Sequence, residues 1–125
     1  HCAFSLEHNM PFHLPTLTRK TRKLYDGTVM PSLRRVVRTK TLDTDYAHPA
    51  QLGAKIAELL CRRTVEGLVV TEAELCILYV LHKGTAKSRE QEIRNYIKDI
   101  TKALDGNPNT SLAVVGNHKT GWSIR

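Results

Sequence analysis

The sequence predicts an α+β fold: N-terminal antiparallel strands, three helices and a C-terminal β-hairpin. Three observations predict it. Apolar residues recur at helical spacing between capping signals in the second half of the chain. Short β-prone runs flank turn dipeptides near both ends. Strands and helices do not alternate as a parallel sheet requires. The 125 residues suffice for one core. The expectation is therefore a single domain, with a β-rich part over 1–45 and a helical part over 46–125.

The C-terminal third carries the sharpest signals. Glu72 to Lys83 reads as a helix. Thr71 stands at its N-cap and Glu74 three residues on, the spacing at which two side chains satisfy each other's orphan backbone N–H groups. Gly84 then reads as a stop. Residues 89–104 read as the next helix, with Ser88 as cap, Gln91 at the reciprocal position and Gly106 beyond its end. Ile93, Ile97, Ile100 and Leu104 step by four, three and four, which places them on one face. Arg94, Asn95, Lys98 and Lys102 take the opposite face. Residues 111–115 are β-prone, 116–121 have turn composition, and Trp122-Ser123-Ile124 alternates as a returning strand. The core of this half is expected to contain Leu75, Leu78, Ile93, Ile97, Ile100, Leu104 and Trp122.

Upstream, Pro11 and Pro15 argue against a helix. Arg19-Lys20-Thr21-Arg22-Lys23 is a dense basic run, either a phosphate-contacting arm or a solvated turn. Asp26-Gly27 stands between apolar residues over 24–30, a strong short-range hairpin signal. Residues 33–40 read as a basic strand, either a charge-protected edge or a binding surface. His48-Pro49 opens a helix over 48–63, with Leu52, Ile56, Leu59 and Leu60 as its apolar stripe and Gly53 and Ala57 allowing a close neighbour. Leu68-Val69-Val70 reads as a short strand.

A net charge of +7 and a pI of about 9.6 favour polyanionic partners. No apolar run approaches the roughly 18 residues that span a bilayer, so no membrane association is expected. Cys2, Cys61 and Cys76 are scattered, with no Cys-x-x-Cys pair, so neither a zinc framework nor a disulfide pattern is predicted. Cys61 and Cys76 fall within apolar helical patterns and are expected to be reduced and buried. A reducing compartment follows, cytoplasmic or nucleoid-associated. His1, Cys2, His8 and His13 offer metal-type ligands in a spacing that fits no ligand pattern, so no metal is predicted. There is no Gly-rich phosphate loop, Gly-x-Ser-x-Gly or His-Glu-x-x-His, and neither a cofactor nor enzymatic activity is expected.

The stretches VTEAELCILYVL and YIKDITKALDGNPNTSLAVVGNHKTGWSIR resemble the winged-helix DNA-binding domain of OmpR/PhoB-type transcription regulators. Tyr96, Ile97, Ile100 and Leu104 match that family's recognition-helix core. Asn107-Pro108 matches the following loop, and Gly121, Trp122 and Ile124 match the last strand. The resemblance implies sequence-specific binding of double-stranded DNA and transcription regulation, with a recognition helix near 89–104 and a wing near 111–125. The family has a further helix where only 83–88 intervenes here. Either that helix is supplied from upstream or the likeness is convergent.

On this reading the DNA-binding residues are Arg89, Gln91, Arg94, Asn95, Lys98, Lys102, His118 and Lys119. Arg94, Lys98 and Lys102 recur every four residues and share a row. Gln91 and Asn95 lie nearer the helix start, where helix-turn-helix docking reaches base edges. Two alternatives stand beside it. One is a protein-interaction module or homodimer on the same scaffold. The other is an RNA-binding protein, against which 6% aromatic content counts, because stacking platforms are scarce.

Overall fold

The computed structural model describes residues 18–34, 51–83 and 89–125. Among these, four helical segments precede one antiparallel hairpin, so the α+β class holds while the helix count rises from three to four.

An additional helix occupies residues 19–34, within the part expected to hold N-terminal strands. α1 begins at Arg19–Leu24, continues through a π-helical turn, Tyr25–Val29, and stays helical over 30–34. Thr18 caps it: its hydroxyl oxygen accepts the Thr21 backbone N–H at 3.1 Å. The Asp26-Gly27 hairpin is thereby overturned. A type I′ turn needs positive φ at both central residues, and Gly27 is not among the glycines that adopt it. Packing explains the outcome. Tyr25, Val29 and Leu33 recur every four residues, and with Met30 they are buried on one face. The π turn widens the helix where that face meets its neighbour. Leu33 and Arg34 belong to this helix, so the strand expected from residue 33 does not start there. The rest of that strand, both early prolines, the histidine-rich N-terminus, His48-Pro49, Gly84 and Ser88 lie outside the described residues.

α2, Leu52–Val65, is the central element and packs on α1, α3, α4 and the hairpin. Its small residues Gly53, Ala54 and Ala57 are all buried. They let α1 approach until the Tyr25 hydroxyl donates to the Ala54 carbonyl oxygen at 3.3 Å. α3, Glu72–Lys83, starts with the expected capping box. The Glu74 backbone N–H donates to the Thr71 hydroxyl and the Thr71 N–H to the Glu74 carboxylate, each at 3.2 Å. α4, Arg89–Asp105, buries Ile93, Tyr96, Ile97, Ile100, Ala103 and Leu104. All seven core residues expected from the sequence are buried.

The hairpin pairs β1, Val114–Asn117, with β2, Gly121–Ile124, setting Gly116 opposite Trp122. Gly116 and Gly121 have φ of 110° and 91°. A Cβ on Gly116 would stand 2.0 Å from the Gly121 carbonyl oxygen, and one on Gly121 2.9 Å from that of Val70. Both positions therefore require glycine. Asn117 Oδ1 accepts the backbone N–H groups of Lys119 and Thr120, at 2.8 and 3.0 Å, and closes the turn. The strand expected over 68–70 contracts to a single bridge: Val70 and Trp122 exchange two backbone hydrogen bonds of 2.8 Å. Across this small sheet the order is Val70, β2, β1. The Ile124 N–H donates to Thr64 Oγ1 at 2.9 Å and ties the sheet to α2.

Candidate nucleic-acid interface

α4 owes its outward face to its sequence period. With the isoleucines turned inward, Gln91, Asn95, Lys98 and Lys102 are exposed. Gln91 Nε2 donates to Asn95 Oδ1 at 3.1 Å, a pair one turn apart that holds both amides on the same face. Lys98 and Lys102 have no carboxylate partner among the described residues. Their ammonium groups are available to an anion.

Arg94 leaves the expected row of cations. Its Nε and Nη2 grip both carboxylate oxygens of Glu72, at 2.7 and 3.2 Å. This bidentate geometry suits a planar guanidinium, and it raises the Arg94 pKa above its ordinary value. The side chain is a strut between the starts of α3 and α4. The Tyr79 hydroxyl makes a second tie between these helices, to the Glu92 carboxylate. Arg89 is half-buried and its Nε lies 3.2 Å from Glu90 Oε1. A backbone hydrogen bond and that guanidinium hold the Glu90 carboxyl below its usual range. Arg63 spans Glu66 and Glu74, each at 3.2 Å, and anchors the end of α2 to the start of α3.

His118 and Lys119 are exposed at the hairpin tip, in the turn that Asn117 closes. β1 packs against α4, so the tip projects from an element that the helix supports. The expected residues thus fall into two sets. Gln91, Asn95, Lys98 and Lys102 share one helical face, with His118 and Lys119 at the tip. Arg89 and Arg94 are engaged with carboxylates.

Two features stand beyond the expected site. Ile77, Val80 and Leu81 form an exposed apolar stripe along α3. Its signal was the composition of residues 75–81, which hold more apolar side chains than one buried face accommodates. The basic run of α1 is the second, helical and solvent-facing at Arg19, Lys20, Arg22 and Lys23.

The cysteines divide. Cys61 is buried and Cys76 only half-buried, both as free thiols, so the expectation that both are inaccessible holds for the first alone. Burial pushes both thiols above their usual range, which disfavours the nucleophilic thiolate. Among the described residues no cluster of His, Cys, Asp and Glu could hold a metal ion, and no helix is long and apolar enough to cross a membrane. Compared with protein-family models, with characterised proteins and with solved structures, the chain matches none.

Proposed function

We propose that this protein binds double-stranded DNA in a sequence-specific manner through a winged-helix arrangement, with α4 as the recognition helix and the hairpin as the wing, and that it serves transcription regulation. The element order supports the arrangement: α2, the bridging Val70, α3, α4, then a hairpin whose last strand pairs with Val70. On this reading α2 is the third helix supplied from upstream.

The observation that carries the DNA reading is the outward face of α4. Amides occupy its first half and unpaired lysines its second. Gln91 and Asn95 exchange their mutual hydrogen bond for the edge of a base. Either amide makes a bidentate pair with adenine N6 and N7, worth about 1–3 kcal/mol of discrimination. Lys98 and Lys102 contact phosphates and fix the register of the helix in the groove. His118 and Lys119 add a backbone contact from the wing. Arg94 keeps α4 at its angle to α3 and makes no contact with DNA.

Fluorescence anisotropy with duplex DNA, single-stranded DNA and RNA at two salt concentrations tests this. Duplex is expected to bind most tightly and to weaken as salt rises. Replacing Lys98 and Lys102 with Gln flattens the salt slope by about two units, roughly 0.9 per phosphate contact. Asn95→Ala relaxes preference at one base pair. Absence of duplex binding by the wild-type chain at low salt overturns the proposal.

One observation favours a second reading, a protein-interaction module. The stripe of Ile77, Val80 and Leu81 recurs at the three- and four-residue spacing that suits a helix-in-groove or helix-on-helix contact. The salt titration separates the two, since that contact would not depend on phosphate.

A further inference from the structure

We infer that the Lys20–Lys23 face of α1 is a second phosphate-binding surface, a sequence-independent contact for the backbone of duplex DNA that is separate from α4. It rests on the DNA reading for the identity of the polyanion.

Arg19, Lys20, Arg22 and Lys23 place four cations within five residues, all exposed. Arg22 stands 3.7 Å from Asp26, with both side chains more than half exposed. Arg19, Lys20 and Lys23 have no carboxylate partner among the described residues. Helix stability does not account for this density. The first turn of α1 holds no acidic residue, and cations there oppose the helix macrodipole. Nor is the run a loose arm, because the Thr18 cap and the buried Thr21 fix the turn that carries it.

The cations also have a shape beside them. Lys20, Lys23, Leu24, Gly27 and Thr28 step along one face of the helix and line an open groove of about 440 Å³. Gly27 adds no side chain, and a Cβ built there would meet nothing within 4 Å. Backbone is therefore accessible between Lys23 and Thr28. Among the described lining residues, two ammonium groups and a hydroxyl, with no carboxylate, suit the oxyanion of a phosphodiester. Because the groove is open to solvent and not enclosed, it suits a phosphate of a surface-bound polyanion better than an engulfed small molecule.

The test uses the full chain and mixed-sequence duplexes over a salt series, with K20Q/K23Q, K20R/K23R and K98Q/K102Q compared by anisotropy. All four substituted positions are exposed, and circular dichroism melts confirm that each variant is folded. K20Q/K23Q is expected to weaken binding equally on every sequence and to lower the salt slope by about two units, while K20R/K23R keeps both. Unchanged affinity and slope in K20Q/K23Q, with weakening in K98Q/K102Q, overturns this surface and leaves the α4 reading standing. Weakening in K20Q/K23Q alone keeps this surface and removes α4 from the interface. A wild-type chain that ignores duplex overturns it as a DNA contact. If that chain instead binds phosphatidylserine vesicles through Lys20 and Lys23, the same cations serve a lipid surface.

Discussion

α3 and α4 are packed on each other and tied by Glu72–Arg94 and Tyr79–Glu92, yet they turn opposite chemistries to solvent. α4 shows Gln91, Asn95, Lys98 and Lys102. Water selects such a face on any amphipathic helix, so polarity alone says nothing of a partner there. The order of groups along the face, amides then unpaired lysines, is what the DNA reading uses. α3 shows Ile77, Val80 and Leu81, exposed by 44%, 36% and 49%. A lone exposed leucine is ordinary, but three apolar side chains at helical spacing make a stripe that water opposes. The lesson is that an outward face informs about function to the degree that it departs from what solvent would choose. By that measure, the apolar face of α3 and the crowded cations of α1 are more informative than the general polarity of α4.

The largest effect that could break this comparison comes from one isoleucine on each helix. Ile97, 5% exposed, packs inward from α4. Ile97→Ala is expected to cost about 2–5 kcal/mol. Ile77→Ser on the outer face of α3 should change stability by no more than about 0.5 kcal/mol, as surface substitutions usually do. Urea denaturation of both variants, read at a common m-value, makes the comparison. Equal destabilisation would mean that Ile77 is covered in the folded chain, and the apolar stripe would lose its meaning as a free surface.

A smaller effect sharpens the account of how α3 is held. Thr71→Ala removes the acceptor for the Glu74 N–H and is expected to cost about 1 kcal/mol. Hydrogen exchange should quicken at the Glu74 amide while the amides of α4 keep their protection. A loss spread evenly over both helices would show that the cap stabilises the pair as one unit.

How far these two helices were legible in the sequence differs from how far α1 was. The Thr71 capping box and the apolar period marked α3, and the period marked α4, within a residue or two, because these signals act over one or two turns. The hairpin was legible for the same reason, through Gly116, Asn117 and Gly121. Asp26-Gly27 was also a local signal, but a competing one lay beside it. Tyr25, Val29 and Leu33 share a helical face, and burial of that face against α2 outweighed the preference of a dipeptide. Within the candidate site, the exposure of Lys98 and Lys102 follows from the period of α4. The capture of Arg94 does not, since Glu72 lies 22 residues away and only the packing of two helices brings it near. Cys76 shows the same limit: apolar neighbours in sequence suggested full burial, but its position on α3 leaves it partly open.

The smallest expected effects are acid–base ones, and they have opposite signs at two carboxylates. Glu58 lies half-buried on α2. Burial raises its pKa above 4.5, against the pull of Arg62, Arg22 and Lys55, while Asp26 pushes the same way as burial. A folded-state pKa above the unfolded value means that the contribution of this group to stability is whole below the unfolded pKa. It is lost as pH rises through the folded one. Glu58→Gln should therefore raise the melting temperature near about pH 7 and change little near about pH 3. Glu90 opens α4 in water, and its backbone bond and Arg89 lower its pKa. Its contribution is present above the unfolded pKa and fades as pH falls through the folded one, so Glu90→Gln should lower the melting temperature at neutral pH and change little in acid. Thermal melts of both variants across the acid range read the two signs directly. If Glu90→Gln instead stabilises the protein at neutral pH, the start of α4 is not at ease in water, and its polar face departs from solvent's choice as clearly as the stripe on α3 does.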